Sequence, residues 1–434
     1  MKSQAKSSER RSAAQMHALA AVRRDIRLHG STGPRKYLRE FTQAFRAYER
    51  VMSEADLTAK LAASSTILIG DYHALPASQQ FAASVIERLA ASRRVVLGVE
   101  AVLSRDQPIL DVWWRREISE QDLRERLRFD REWGYRWTPF YELLVAARDR
   151  GDGIYGLDCL PRHDMRRIRS RDRHAAEKIA EIRASHPKAV LVVLFGESHL
   201  APEHLPRALR QTLPNESALT VLQNLDAMYW QAANENAAAV SLSDAAVCVF
   251  NATPLEKYES YRLCLEKWHG DNDDAPDFTS AVHNLILSLA RTLGFRSDSP
   301  HNGTQPKYLA DSLPEVAHIA DPETSALDDQ TKAALEETGC FYAPQSKTFF
   351  IREFSMTAAA GEAARFLHHA CKGMEAYAPN EQEATLSHFG SRLLCPGNLN
   401  DGAANSAGEA LYQGYVNGRV TRAAVRRMFL PRNS

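Results

Sequence analysis

Paired cysteines, long apolar runs, a dominant charge and the common nucleotide-binding fingerprints are all missing from this chain. Each gap closes off a class of function. The six cysteines (Cys159, Cys248, Cys264, Cys340, Cys371 and Cys395) are far apart and form no CxxC pair. That excludes a disulfide framework and a zinc ribbon, and reduced, packed thiols are expected. No stretch approaches the roughly 20 apolar residues that a membrane-spanning helix needs. The first thirty residues scatter charge throughout and lack the apolar core, about 7–15 residues long, of a secretory signal. No early cysteine is present to take a lipid, so the expected location is the cytoplasm. Lysine plus arginine and aspartate plus glutamate are balanced at 54 each. A net charge of zero supplies no long-range pull toward nucleic acid or anionic membranes, so neither is expected as a partner. The local run Arg162–Arg173 reads as the solvated face of a helix. GxGxxG, P-loop and GxSxG patterns are missing too, which weighs against dinucleotide, nucleoside-triphosphate and serine-hydrolase chemistry.

What is present is an alternation of short apolar runs with helical stretches. Thr66–Gly70, Val95–Glu100, Gly153–Asp158 and Ala189–Phe195 are continuous apolar runs without a polar face, the pattern of parallel strands covered on both sides. Weaker strands are expected at 217–224 and 246–250, with helices over about 78–91, 139–150 and 163–184 between the runs. Such βαβ alternation predicts a three-layer α/β sandwich with a mostly parallel sheet and helices on both faces. With 434 residues the chain is too long for one core. Three regions are expected: an N-terminal helical arm over 1–59, the α/β domain over 60–250, and a mainly helical C-terminal domain over 251–434. Within the arm, residues 1–35 read as loosely attached, and 36–60 as an amphipathic helix or helix pair. In the last region, 254–295 and 356–373 read as helical, 341–354 as a hairpin around Pro344–Lys347, 271–277 as an acidic break, and 407–429 as a further helix.

The chemistry concentrates where the strands stop. The first runs into Gly70-Asp71-Tyr72-His73, the second into Gly98-Val99-Glu100, the third into Asp158 and the fourth into Gly196-Glu197-Ser198-His199. Carboxyl ends of parallel strands share one edge of a sheet, and ligands bind there. Two histidines and up to four carboxylates are therefore expected to face one crevice. Imidazoles with carboxylates suit a divalent zinc, manganese or iron ion. They suit metal-free acid–base catalysis equally well, and a histidine or Tyr72 can also ligate a porphyrin iron. Arg171-Asp172 on the long helix either points a guanidinium at the site or forms a surface pair. Trp113, Trp114, Trp133 and Trp137 read first as core and second as the wall of a pocket. His368-His369 point about 100° apart on a helix and do not chelate one ion well.

Four motifs in order carry a family resemblance: GDYH at 70–73, GVE at 98–100, Arg171-Asp172 on a helix, and VVLFGESHL at 192–200. Together they resemble the ChaN-like haem-binding uptake family. That family sits in the wider Tiki superfamily with TraB-like proteins and erythromycin esterases. The resemblance spans about 60–225; Asp71 stands where the first motif commonly has a glutamate. ChaN-like members imply a haem-binding protein of iron uptake. Tiki-like members imply a metal-dependent protease using paired GxxH motifs, and the esterases imply hydrolysis by histidine and glutamate. The leading expectation is a haem- or metal-binding protein with Tyr72, His73 or His199 at the iron and tryptophans beside the porphyrin. A hydrolase follows, with His73, His199 and Glu100 holding the ion, Glu197 or Asp71 activating water, and Arg171 assisting. A non-catalytic interaction protein on the same fold is third. The partner expected is a small-molecule or haem ligand, and a second copy of the chain in a homodimer is a further expectation.

Overall fold

The structure is a computed structural model describing residues 35–162, 167–232, 237–269, 278–293, 313–320 and 325–372, with a few positions at 19–26 and Pro322. The expected acidic break at 271–277, the helix at 407–429 and the start of the long helix at 163–166 lie outside the described residues. Two compact units emerge, His29–Cys264 and Met1–Leu28 with Leu265–Ser434.

The first unit is built on an eight-stranded sheet. Its strands are β1 Arg50–Met52, β2 Thr66–Asp71, β3 Val95–Leu103, β4 Ile154–Asp158, β5 Val190–Gly196, β6 Ala218–Gln223, β7 Ala239–Ser243 and β8 Ala246–Val249. They lie in the order β1-β7-β8-β6-β2-β5-β3-β4. From β8 to β4 every pairing is parallel, while β7 runs antiparallel to both β8 and β1. The sheet is thus α/β and mostly parallel, as the alternation predicts.

Strand periodicity explains why apolar runs without a polar face appear here. Successive side chains point to opposite faces. Ile67, Ile69, Leu97, Val99, Val192 and Leu194 belong to one core, under the helices Pro76–Ala90 and Trp137–Arg150. Leu68, Val96, Leu191, Val193 and Phe195 belong to a second core, with the helices Ile168–Ser185 and Leu205–Thr212. Each strand feeds two cores, so each reads as apolar throughout.

Two strands escape the sequence pattern. β1 interrupts the region read as helical over 36–60, which is really two helices, Arg35–Ala44 and Glu54–Ala63, with three extended residues between. Three residues are too few to show a period, and β1 is held by its ladder to β7. β7 is alanine- and serine-rich and forms a hairpin with β8. The second helix is fixed locally by a capping box, in which Ser53 and Asp56 satisfy each other's backbone amides.

In the second unit the helices Thr279–Leu293, Asp329–Thr338 and Met356–Lys372 accompany a three-stranded sheet, with β9 Glu315–His318, β10 Cys340–Ala343 and β11 Thr348–Ile351. β10 and β11 form the hairpin expected around Pro344–Lys347. β9 adds in parallel to β11, a pairing that no local pattern announces. Among the described residues no helix is long and apolar enough to cross a membrane. Among the described residues, Cys159, Cys248, Cys264 and Cys340 form no disulfide.

Candidate functional site

Adjacent β2, β5, β3 and β4 bring their carboxyl ends to one edge. Asp71, the last residue of β2, is opposite Gly196, the last of β5. The chain then leaves β5 through a 3₁₀ turn, Glu197–Leu200. With three residues per turn, positions three apart fall on one side, so His199 returns over Gly196. Glu100 lies within β3 where its register with β4 breaks, between Val99 and Leu103.

The two histidines are held alike. His73 Nδ1 is 2.6 Å from Asp71 Oδ2, while Gln79 Nε2 donates to Asp71 Oδ1 at 2.6 Å. His199 Nδ1 is 2.6 Å from Asp172 Oδ1. A carboxylate on Nδ1 selects the tautomer that leaves Nε2 free to accept a proton. Both Nε2 atoms turn to one group: His73 Nε2 lies 3.9 Å from Glu100 Oε2, and His199 Nε2 lies 3.8 Å from Glu100 Oε1. Gly196 sits among them. A Cβ there would meet Glu100 Oε2 at 3.0 Å, His199 Cδ2 at 3.3 Å and His73 Cε1 at 3.4 Å, so only glycine leaves this cluster room.

Glu100 is 3% exposed and anchored on both oxygens, by the Arg171 guanidinium on Oε1 and the Gly196 amide on Oε2. Arg171 also donates to Asp158 Oδ1 at 2.8 Å and Oδ2 at 2.9 Å. Arg162 donates to Asp158 at 2.7 Å and to the Glu100 and Ala101 carbonyls at 2.9 Å each. Burial alone would keep Glu100 protonated, but Arg171, His199 and His73 hold its carboxyl down to about 2. Burial likewise opposes a charge on His73, yet Asp71 and Glu100 leave it more readily protonated than an ordinary imidazole. Arg171 is pushed further up by Glu100 and Asp158 against the cost of its burial.

His73, His199, Glu100, Asp71, Asp158 and Arg171 therefore share one cluster, together with Asp172. Arg171 and Asp172 are neighbours on one helix, yet they serve different partners, the carboxylates and His199. Two other expected site residues go elsewhere. Both Glu197 oxygens accept from Lys257, at 2.7 and 2.9 Å. The Tyr72 ring packs edge-on against Tyr258 and Tyr261 and carries Lys257 Nζ 4.6 Å above its face. Burial, then Tyr258 and Glu197, push the Tyr72 phenol well above its ordinary range. Of the four tryptophans, Trp113 and Trp137 are buried in the core and Trp114 packs on it. Trp133 also touches that core but stands 4.4 Å from His73, with Tyr135 at 5.1 Å. The sequence gives no warning of Tyr37, Gln79, Arg162 or Lys257. Each acts across long sequence separations or from a helix whose own pattern is ordinary.

Among the described residues, no group of three or more His, Cys, Asp or Glu is arranged to hold a metal ion. A zinc, manganese or iron ion on the expected His73, His199 and Glu100 would share Glu100 with the Arg171 guanidinium.

Residues 57–179 match the family described as "Haem-binding uptake, Tiki superfamily, ChaN". Over that stretch the chain is similar to the family that its motifs resemble. The matched residues include the first GxxH, Glu100, Asp158, Arg171 and Asp172; the second GxxH at 196–199 and Tyr37 lie outside them. Two solved structures are similar. One is described as "Cofacial heme binding to ChaN of Campylobacter jejuni", at 16% identity over 40% of this chain and 87% of that one, with a TM-score of 0.30. The other is the type III effector HopBA1, at 12% identity over 48% of this chain and 98% of that one, with a TM-score of 0.35. No curated protein matches the chain.

Proposed function

We propose that this crevice is an acid–base centre for hydrolysis of an ester or amide bond, worked by two carboxylate-oriented histidines on either side of Glu100. The observation behind it is the convergence of two Nε2 atoms, at 3.9 and 3.8 Å, on one anchored carboxylate. His73, with 22% of its side chain exposed, is the imidazole that meets solvent and substrate. Its Nε2 takes a proton from the attacking water as the oxygen bonds to the carbonyl carbon. Asp71 holds the ring, and Glu100 stabilises the imidazolium that forms. The proton then passes to the departing oxygen or nitrogen as its bond to carbon breaks. His199, 4% exposed, backs Glu100 from the buried side. Arg171 keeps Glu100 ionised, so that no proton is lost to it. The test is turnover of chromogenic esters and anilides by the full chain. His73→Gln and Glu100→Gln are each expected to lower it about 10²–10⁴-fold. Turnover retained in both, or no turnover above buffer by the native protein, overturns the reading.

A second reading, haem binding, is favoured by the family match and by the setting of His73. Its partly exposed ring packs beside Trp133 and Tyr135, and a carboxylate backs its Nδ1, as is common behind metal-bound histidines. His73 fits as the residue that would hold the iron, which supplies redox and ligand-binding chemistry when bound. His199 is too enclosed for the same role, and Tyr72 fits as a wall rather than a ligand. A saturable Soret band that disappears in His73→Gln supports this reading. No saturable band removes it.

A further inference from the structure

The helix Arg35–Ala44 reaches the site through one side chain. Tyr37 is buried, and its hydroxyl lies 3.1 Å from Asp172 Oδ1, 3.0 Å from Asp172 Oδ2 and 3.1 Å from His199 Nδ1. Asp172 Oδ1 is already engaged by His199; among the described residues, Tyr37 is the one donor to Oδ2. A buried carboxylate without a donor on one oxygen would rotate to seek one and carry the imidazole with it. The Tyr37 ring is also fixed, stacked 3.5 Å from His204 with 8° between planes. His204 Nδ1 donates to the Ser198 carbonyl at 2.8 Å, inside the second GxxH turn, and its Nε2 lies 3.1 Å from Glu40 on the same helix as Tyr37. Glu40 further accepts from Arg169 at 2.9 Å, next to the Arg171-Asp172 pair. Burial and the neighbouring Asp172 push the Tyr37 phenol far above its ordinary range, so it stays an O–H donor.

We infer that Tyr37 is a positioning residue, fixing the Asp172 carboxylate and through it the His199 imidazole against Glu100. The helix Arg35–Ala44 thereby completes the seat of the second histidine, although it lies outside the residues that match the family. Because this concerns geometry, it is read without turnover, and its failure is separate from failure of the hydrolytic reading.

The test is proton NMR of the full chain, with the His199 Nδ1–H resonance identified by its loss in His199→Gln. Tyr37→Phe deletes the hydroxyl and keeps the stack on His204. Asp172 then loses one donor, the bond from His199 takes a larger share of the carboxylate charge, and the resonance moves downfield. Installing 3-fluorotyrosine at position 37 makes a stronger donor of the same shape and moves it upfield. An unchanged resonance in both proteins, or no resonance assignable to His199 in the native chain, overturns the inference. If Tyr37→Phe does not fold, the fluorinated protein decides.

Discussion

Arg171→Met removes the guanidinium that joins Glu100 to Asp158 and keeps a side chain of similar reach. Arg171 is buried and makes three hydrogen bonds, two to Asp158 and one to Glu100. Removing one partner of a buried ionic cluster typically costs about 3–5 kcal/mol, because the remaining charges lose their compensation. Arg162 still holds Asp158 and the Gly196 amide still holds Glu100, which places the expected cost toward the lower end. A second route gives a similar size. A buried carboxyl held at about 2 instead of its ordinary 4.5 contributes about 3 kcal/mol at neutral pH, most of it through Arg171 and the two histidines. For a unit of this size about 2–4 °C accompanies each kcal/mol, so calorimetry at pH 7 is expected to show a drop of about 6–20 °C. The sign with pH is also set. A depressed carboxyl stabilises the fold above 4.5 and loses that contribution as pH falls toward 2. The gap between native and Arg171→Met proteins must therefore narrow on acidification below 4.5. A drop under about 3 °C, or a gap that stays constant from pH 7 to pH 3, would refute the ionic account of this cluster.

Gly196→Ala introduces a methyl group 3.0 Å from Glu100 Oε2 and 3.3 Å from His199. It is expected to cost about 1–3 kcal/mol by overpacking and to abolish ester turnover; a denaturant midpoint and rate equal to the native protein's would contradict this. His73 carries a raised value because of Asp71 and Glu100, so turnover by neutral His73 should rise with pH through a point above 6.5. In Asp71→Asn burial is less opposed, and that limb should move to lower pH with a reduced plateau; an unmoved limb would show that another group titrates. The stabilising effect of His73 has the opposite sense, present below 6.5 and lost as pH rises through the folded value, which equilibrium unfolding at pH 6 and pH 9 can check.

The sheet strands around the site were legible because burial on both faces leaves a signature in consecutive residues. Ile67, Leu68 and Ile69 are all apolar because they feed two cores in turn. Where that condition failed the signature vanished: β1 is too short, and β7 carries small and polar residues at the edge of the parallel ladder. The two histidines of the GxxH motifs were legible for a related reason, since the residues after a buried strand are the first free to do chemistry; Glu100 instead stands inside β3, where the register with β4 shifts. The partners of those residues were not. Asp172 on His199, Gln79 on Asp71 and Lys257 on Glu197 depend on how helices pack onto the sheet, and nothing local distinguishes them.

Two local sequences thus determined the histidines, their turns and the edge on which they stand, through strand burial and the sharp turn that glycine permits. Tertiary structure alone decided what each side chain became. It paired Glu197 with Lys257, packed Tyr72 against Tyr258 and Tyr261, and brought Tyr37 across 135 residues to Asp172. Electrostatic partners are chosen by distance in space, and in a buried site that choice decides which groups carry charge and which carry protons.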